Sequence, residues 1–430
     1  MKVDDSYIEY AYNLIKYICE EFGPRYSSSE AEKKANLWIK NEFSKFCDET
    51  YIEEFETHPE LYPQGIFKLT GLFAAIAFIF MPFIFPFPIL SAILIFIGLF
   101  ILFSELFYMK RWIKFLFKKG VSSNVFGIIK PLEEVKFRII FEGHIDSAKQ
   151  MRIAEYEKLP LKRFIIGILY LPFTIIMAFV KFFALLSLNR NFWDTGIIQF
   201  EYGLFQWTII DWIYFLAWFI LYPCFIFLIR GLTGDIVIPG ASDNLSGLAV
   251  TAAVGKYISQ DQHRPKNVEI IIASMGSEEI GDRGAKYFVE HHGDLLKKSY
   301  AYVIDDVGTG NKFYIIEKDF MHRATYSQEV INRMEKAHKT YKKETPNANP
   351  IGKRKIPLGS SDACMYIKGG YKASFIIGVQ ELESDNKKIS KPPNWHSTRD
   401  TWQNISKKML QDGIGIALKF IELVDKEYEK

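Results

Sequence analysis

The 430-residue chain has only four cysteines, Cys19, Cys47, Cys224 and Cys364, and no two of them share a short spacing. That pattern offers neither a zinc knuckle nor a disulfide framework, and it fits a reducing compartment. Charge of one sign is also scarce. Fifty-three basic residues against 50 acidic ones leave +3, which gives no reason to expect a nucleic-acid partner. The first 25 residues are charged throughout and lack the unbroken apolar core of a signal peptide. No internal repeat or low-complexity segment stands out beyond stretches rich in phenylalanine.

Those stretches are what the chain has in excess. Hydrophobic residues make up 49% of it, with 37 Phe, and they are concentrated rather than spread. From Leu69 to Ser104 there is no charged residue. A helix needs ~20 apolar residues to cross a bilayer core, so this run is too long for one span and suits two. Pro82, Pro86 and Pro88 lie at its middle, where a turn is expected. A second block runs from Phe164 to Leu188, broken only by Lys181, and a third from Phe205 to Ile229, broken only by Asp211. The segment between them carries Arg190, Asp194 and Glu201 and reads as an aqueous loop. Four spans in two hairpins are therefore expected. The boundaries are residues 66–109 and 164–230 for the hairpins, with 1–65, 120–160 and 233–430 forming one discontinuous water-soluble domain. Lys181 and Asp211 fall at the same end of the second hairpin, where pairing reduces the cost of burying each.

The remaining sequence reads as an α/β layered domain. Ser29 and Glu32 form a capping-box pattern after a break at Gly23-Pro24. Val125–Ile129, Val135–Phe141, Val268–Ser274, Tyr300–Ile304 and Ser374–Ile377 read as strands. Helical patterns cover Leu245–Ile258, Arg283–His291, Ser327–His338 and a last helix from about Ile405. Strands alternating with helices imply a sheet with helices packed on it, and loops at the carboxyl ends of its strands are where ligands bind.

Five short motifs stand out, four of them where strands end or helices begin. Gly143-His144-Ile145-Asp146-Ser147 follows a strand; imidazole is a good zinc ligand, and a carboxylate two residues on could orient the ring. Gly240-Ala241-Ser242-Asp243-Asn244-Leu245-Ser246-Gly247 reads either as a helix N-cap or as a carboxylate held against the sheet to bridge two cations. Ser277-Glu278-Glu279-Ile280-Gly281 follows the apolar strand; a cation relieves the repulsion of adjacent carboxylates, although a solvated acidic turn has the same composition. Asp305-Asp306-Val307-Gly308 also follows an apolar strand. Trp395-His396-Ser397-Thr398-Arg399-Asp400-Thr401 comes late in a loop. His58, His263, His291, His292, His322 and His338 read as surface histidines.

Taken in order, these motifs resemble the di-zinc aminopeptidase and glutamate carboxypeptidase family of metallopeptidases, whose fold is a mixed sheet with helices on both faces. The resemblance spans nearly all of the water-soluble sequence. It implies metal ligands at His144, Asp243, Glu279, Asp305 and His396. Asp243 would bridge two ions, with His144 and Asp305 on one and Glu279 and His396 on the other. It further implies Glu278 as general base, Asp146 as the partner orienting His144, and a cis Asp243–Asn244 peptide. Ser361-Asp362 resembles a further element of the family. Ser242, Trp395 and Asp306 stand where the family often has Asp, Tyr and Met; none of these removes a ligand, but Asp306 makes the choice of aspartate ambiguous.

Two Zn(2+) ions suit such a ligand set, with cobalt or manganese able to substitute. The implied activity is metal-dependent hydrolysis of a peptide or small amide, most simply at the N-terminal residue, by a protein anchored in the lipid bilayer. A glutaminyl-cyclase-like enzyme, a non-peptidase amidohydrolase and an inactive membrane scaffold of the same fold are the alternatives; complete retention of the five ligands favours the two-metal hydrolase. Lys110, Arg111, Lys114, Lys118, Lys119, Lys158, Lys162, Arg163 and Arg230 flank the hairpins on the catalytic-domain side, so a multi-pass protein of the cell membrane with a cytoplasmic catalytic domain is expected. Arg111, Lys114 and Lys118 are spaced as one helical face, which suggests an interfacial helix.

Overall fold

A computed structural model describes residues 3–83, 85–156, 160–186, 200–202, 204–357, 359–384 and 387–429. The chain divides into two compact units. One comprises Met1–Pro59, Lys118–Gln150 and Ile236–Lys430, and the other Glu60–Phe117 and Met151–Asp235. The strands are β1 (Glu49–Thr57), β2 (Gly120–Ile129), β3 (Phe137–His144), β4 (Phe200–Tyr202), β5 (Phe205–Trp207), β6 (Val268–Met275), β7 (Ser299–Asp305), β8 (Lys312–Asp319), β9 (Ile351–Ile356), β10 (Lys372–Ser384) and β11 (Lys387–Lys391).

The first unit is built on a mixed sheet in the order β1-β2-β6-β3-β7-β10-β8-β9, with β11 paired to β10. The four central strands, β6, β3, β7 and β10, run parallel. Every residue of β6 and β7 is buried, as a parallel strand covered on both faces requires. That is why their apolar runs are legible in the sequence. The sheet edges are not: β1 (ETYIEEFET) and β9 (IGKRKI) carry charge at alternate positions facing solvent, which suits an edge strand and hides it from a search for apolar runs.

The helices of this unit mostly lie where periodicity places them. Helix Glu30–Phe43 is capped by Ser29, whose hydroxyl accepts from the Glu32 N–H at 3.2 Å. The reciprocal arm of the expected box is displaced by one residue, because the Glu32 carboxylate accepts from the Ser28 N–H (2.5 Å) instead, and from the Ser122 hydroxyl (2.7 Å). Helix Gly247–Ile258 is buried on almost every side. It can approach β3 because Gly143 has no side chain; a Cβ there would lie 2.4 Å from the Leu248 nitrogen. The last helix, Lys407–Tyr428, begins two residues after the expected Ile405.

Among the described residues, the second unit contains four helices long and apolar enough to cross a membrane: Leu61–Phe80, Pro88–Tyr108, Leu161–Leu186 and Ile209–Leu232. The first pair turns between Phe80 and Pro88, at the proline cluster. Small and hydroxyl residues bring these helices together: the Ser91 hydroxyl donates to the Ala77 carbonyl (2.6 Å), and Tyr170 donates to the Ala74 carbonyl (3.1 Å). Large apolar side chains such as Phe96, Phe100, Ile168, Leu216 and Ile220 point outward and are at least half exposed. Lys181 and Asp211 pair at 2.8 Å with both side chains buried. The Lys181 ammonium also donates to the Met81 carbonyl (2.6 Å), and Asp211 accepts from the Thr208 N–H and hydroxyl.

One expectation needs correction here. The helix before Arg111 stops at Tyr108, Met109 and Arg111 take positive φ, and only the single turn Lys114–Leu116 follows. Arg111, Lys114 and Lys118 therefore share no helical face. A left-handed residue ends a helix by satisfying its last carbonyls, and here the Met109 N–H donates to the Glu105 carbonyl. The loop carrying Arg190 and Asp194 lies outside the described residues.

Candidate metal centre

The site stands at the carboxyl ends of the parallel strands. His144 is the last residue of β3 and Asp305 the last of β7. Glu278 and Glu279 follow β6, Asp243 lies in the irregular turn Ala241–Ser246, and His396 comes from the loop before the last helix. His144, Asp146, Asp243 and Glu279 are buried; the Glu278, Asp305 and His396 side chains keep 13%, 11% and 11% exposure.

Asp243 is the hub. Its Oδ1 lies 3.3 Å from His144 Nε2 and its Oδ2 3.3 Å from His396 Nε2, so the two oxygens of one carboxylate face two different imidazoles. On the His144 side stand Asp305 Oδ1 at 3.9 Å and Glu278 Oε2 at 3.7 Å; on the His396 side Glu279 Oε2 stands at 3.2 Å. All six chemistry-bearing side chains named for the centre thus converge. The Asp243–Asn244 peptide is cis.

The supporting shell is denser than the sequence indicates. Asp146 Oδ1 lies 3.5 Å from His144 Nδ1. The same carboxylate accepts from the Glu278 and Glu279 backbone N–H groups at 3.0 and 3.1 Å, so one buried anion fixes both an imidazole and the acidic turn. Asp400 does the same for the other loop, accepting from Ser242 N–H (2.7 Å) and Asp243 N–H (3.1 Å). Asn244 ties that turn to β7 by donating to the Ile304 carbonyl and accepting from Asp306 N–H. Asp306, left ambiguous by its position, turns away from the histidines and accepts from the Ser242 hydroxyl. The buried Arg25 guanidinium joins the two loops, donating to the Ile145 carbonyl (2.9 Å) and the Gly240 carbonyl (3.2 Å). Sequence reasoning passed over the roles of Asp400, Asn244 and Arg25. Only Asp400 left a signal, as a carboxylate four residues beyond His396.

The electrostatics ask for positive charge. Burial pushes Glu278 well above the usual carboxylate range, with Asp282, Glu279 and Asp362 adding repulsion against the attraction of His144. Burial likewise raises Glu279 to about 7 and Asp305 to about 6. Asp243 goes the other way: burial opposes its charge, but the His144 and His396 imidazoles facing its two oxygens outweigh it and hold the carboxyl low. The buried Glu279 Oε1 and His144 Nε2 have no hydrogen-bond partner of sound geometry. Unpaired buried donors and acceptors are costly, and buried like charges more so. A set of imidazoles and carboxylates with open ligand atoms fits divalent cations, and the groups His144–Asp243–Glu279 and His144–Glu278–Asp305 each present ligand atoms within 4.8 Å of one another.

Residues 231–421 match the sequence profile of Peptidase family M28. Aminopeptidase YwaD from Bacillus subtilis is 27% identical over 197 residues, which span 44% of this chain and 39% of that protein; the chain therefore matches well under two thirds of this relative's length. Solved structures share this fold at low identity. The zinc aminopeptidase BSAP from Bacillus subtilis is 14% identical, with 97% of this chain and 95% of that chain covered and a TM-score of 0.53. The glutaminyl cyclase from Porphyromonas gingivalis is 12% identical, with coverages of 97% and 98% and a TM-score of 0.52. These likenesses establish a zinc-aminopeptidase-like fold; the choice among activities falls to the site.

Proposed function

We propose that the chain is a membrane-anchored, metal-dependent hydrolase of peptide or amide bonds, acting as an aminopeptidase with two zinc ions. The observation that carries this reading is Asp243, one carboxylate with an imidazole opposite each oxygen. In it His144 and Asp305 would hold one ion, Glu279 and His396 would hold the other, and Asp243 would serve both. Bound cations would supply polarisation of the scissile carbonyl and acidity to the attacking water. The protein's own groups do the rest. Glu278, the more exposed of the adjacent glutamates, accepts the attacking water's proton and delivers it to the leaving amine. Its burial and acidic neighbours suit it to hold that proton in transit. Asp146 keeps His144 in one orientation and the Glu278–Glu279 backbone in place, so neither must reorganise during the reaction.

A glutaminyl-cyclase-like activity is the second reading, supported by the equal likeness of fold to the Porphyromonas gingivalis enzyme. The two-sided Asp243 favours two ions and hydrolysis. Membrane anchoring rests on the four apolar helices and their outward-facing Phe, Leu and Ile side chains. The test is metal analysis of the full chain in detergent, combined with hydrolysis of aminoacyl amides and their N-acylated counterparts. The aminopeptidase reading expects two equivalents at this centre and turnover of free-amine substrates only. Cyclisation of N-terminal glutamine without amide hydrolysis would replace it with the second reading.

A further inference from the structure

A second group of metal-binding side chains lies apart from those five ligands. Asp282 ends the loop after β6, His322 sits in the turn after β8, and Cys364 opens the helix Ala363–Lys368. All three are buried, at 1%, 4% and 0% exposure. Cys364 Sγ lies 3.4 Å from His322 Nδ1 and 3.7 Å from Asp282 Oδ2, and His322 Nδ1 lies 3.5 Å from the same Oδ2. A sulfur, a nitrogen and an oxygen bound to one tetrahedral zinc at about 2.0–2.3 Å stand roughly 3.3–3.6 Å apart. The triangle's edges of 3.4, 3.5 and 3.7 Å come close to those dimensions. We propose that Asp282, His322 and Cys364 form a third metal site, for a zinc-type divalent cation, that fastens the acidic loop of the catalytic centre.

The chemistry of the set supports this. Thiolate, imidazole and carboxylate are the ligand types zinc takes, and two negative charges balance a divalent ion. Asp282 Oδ1 is buried without a hydrogen-bond partner, which leaves a second oxygen of that carboxylate for the ion. The nearest opposing charges on Asp282 are Lys368 and Arg283, yet burial still raises its carboxyl to about 7. The His322 turn is built in advance: Asp319 accepts from the His322 N–H (2.6 Å) and from the Tyr326 hydroxyl (2.7 Å). A nucleophilic Cys–His–Asp arrangement needs an accessible, readily ionised thiol. Cys364 has neither property, because it is fully buried and burial holds its thiol well above the ordinary range.

The role follows from the loop. The Asp282 N–H donates to the Glu278 carbonyl at 2.8 Å, closing a turn that begins at the proposed base. Asp146 holds the near end of this turn, and an ion on Asp282 would hold the far end, joining it to β8 and the Cys364 helix. Asp282, His322 and Cys364 would then be positioning residues that touch no substrate.

The experiment is cobalt substitution of the full chain after chelation. None of the five ligands of the catalytic centre is a sulfur, so a thiolate-to-cobalt charge-transfer band cannot arise there, and its loss in Cys364→Ser assigns it to Cys364 rather than to Cys19, Cys47 or Cys224. The proposal expects that band in the wild-type chain, its loss together with one equivalent of metal in Cys364→Ser, and its retention in a His144→Ala, His396→Ala double variant. That last result holds whether or not the catalytic centre works as an aminopeptidase. No band at saturating cobalt, or a band that survives Cys364→Ser, would overturn it. Should Cys364→Ser fail to fold, Asp282→Asn preserves volume and must also lose one equivalent; full metal content in that variant refutes the site.

Discussion

In the proposed reading Glu278 and Glu279, neighbours in sequence, have opposite duties, and substitution separates them. Glu279 faces His396 and Asp243, so Glu279→Ala should lose metal from one position as well as activity, seen by metal analysis. Glu278→Gln keeps its size and one oxygen but cannot accept a proton. It should keep its metal and substrate affinity while turnover falls by ~10²–10⁴. Equal metal loss in both variants would remove the base assignment. Asp400 deserves the same treatment, because its two backbone hydrogen bonds hold the Ser242–Asp243 segment. Asp400→Asn gives up the charge and one acceptor. Outer partners of this kind are worth about 10–100-fold in metal affinity, and a competitive chelator titration should register a loss of that order. Unchanged affinity would mean that Asp243 is held in place without help from Asp400.

At the scale of elements, the Lys181–Asp211 pair is the most consequential contact in the second unit. Each charge has further partners, Met81 for the lysine and Thr208 for the aspartate, so the pair ties three stretches of chain together. Removing one partner strands the other, at a cost of about 3–5 kcal/mol for a buried charge. Asp211→Asn should therefore lower the unfolding midpoint in detergent markedly. The double change Lys181→Met, Asp211→Asn should recover much of that loss, since no charge is left unpaired. A single variant as stable as the wild type would show that water reaches this end of the hairpin. The same physics explains which strands were legible. β6 and β7 announce themselves as unbroken apolar runs, whereas β1 and β9 lie at edges where charged side chains reach solvent.

For the whole molecule, the expected arrangement places residues 189–204 across the bilayer from the catalytic domain. A cysteine introduced there should react with an impermeant reagent only from outside the cell, and labelling only from the cytoplasm would reverse the topology. By itself the sequence determined the four apolar helices, the central strands and the order of the five site motifs. Each of these is written in contiguous residues: twenty-odd apolar positions, a β run, a loop at its end. What only the tertiary structure decided is what joins distant segments. Asp306 and Asp305 are indistinguishable by spacing until the turn at Asn244 sends one toward Ser242 and the other toward His144. His322 was expected at the surface with five other histidines, yet it is buried beside Cys364 and Asp282, and His58 and His338 are buried too. Arg25 gave no sign that it would bridge two loops more than 100 residues away. A hydrophobic period is a local property that one segment can express alone, but a hydrogen bond or a metal triangle needs partners that only the packed sheet brings within reach.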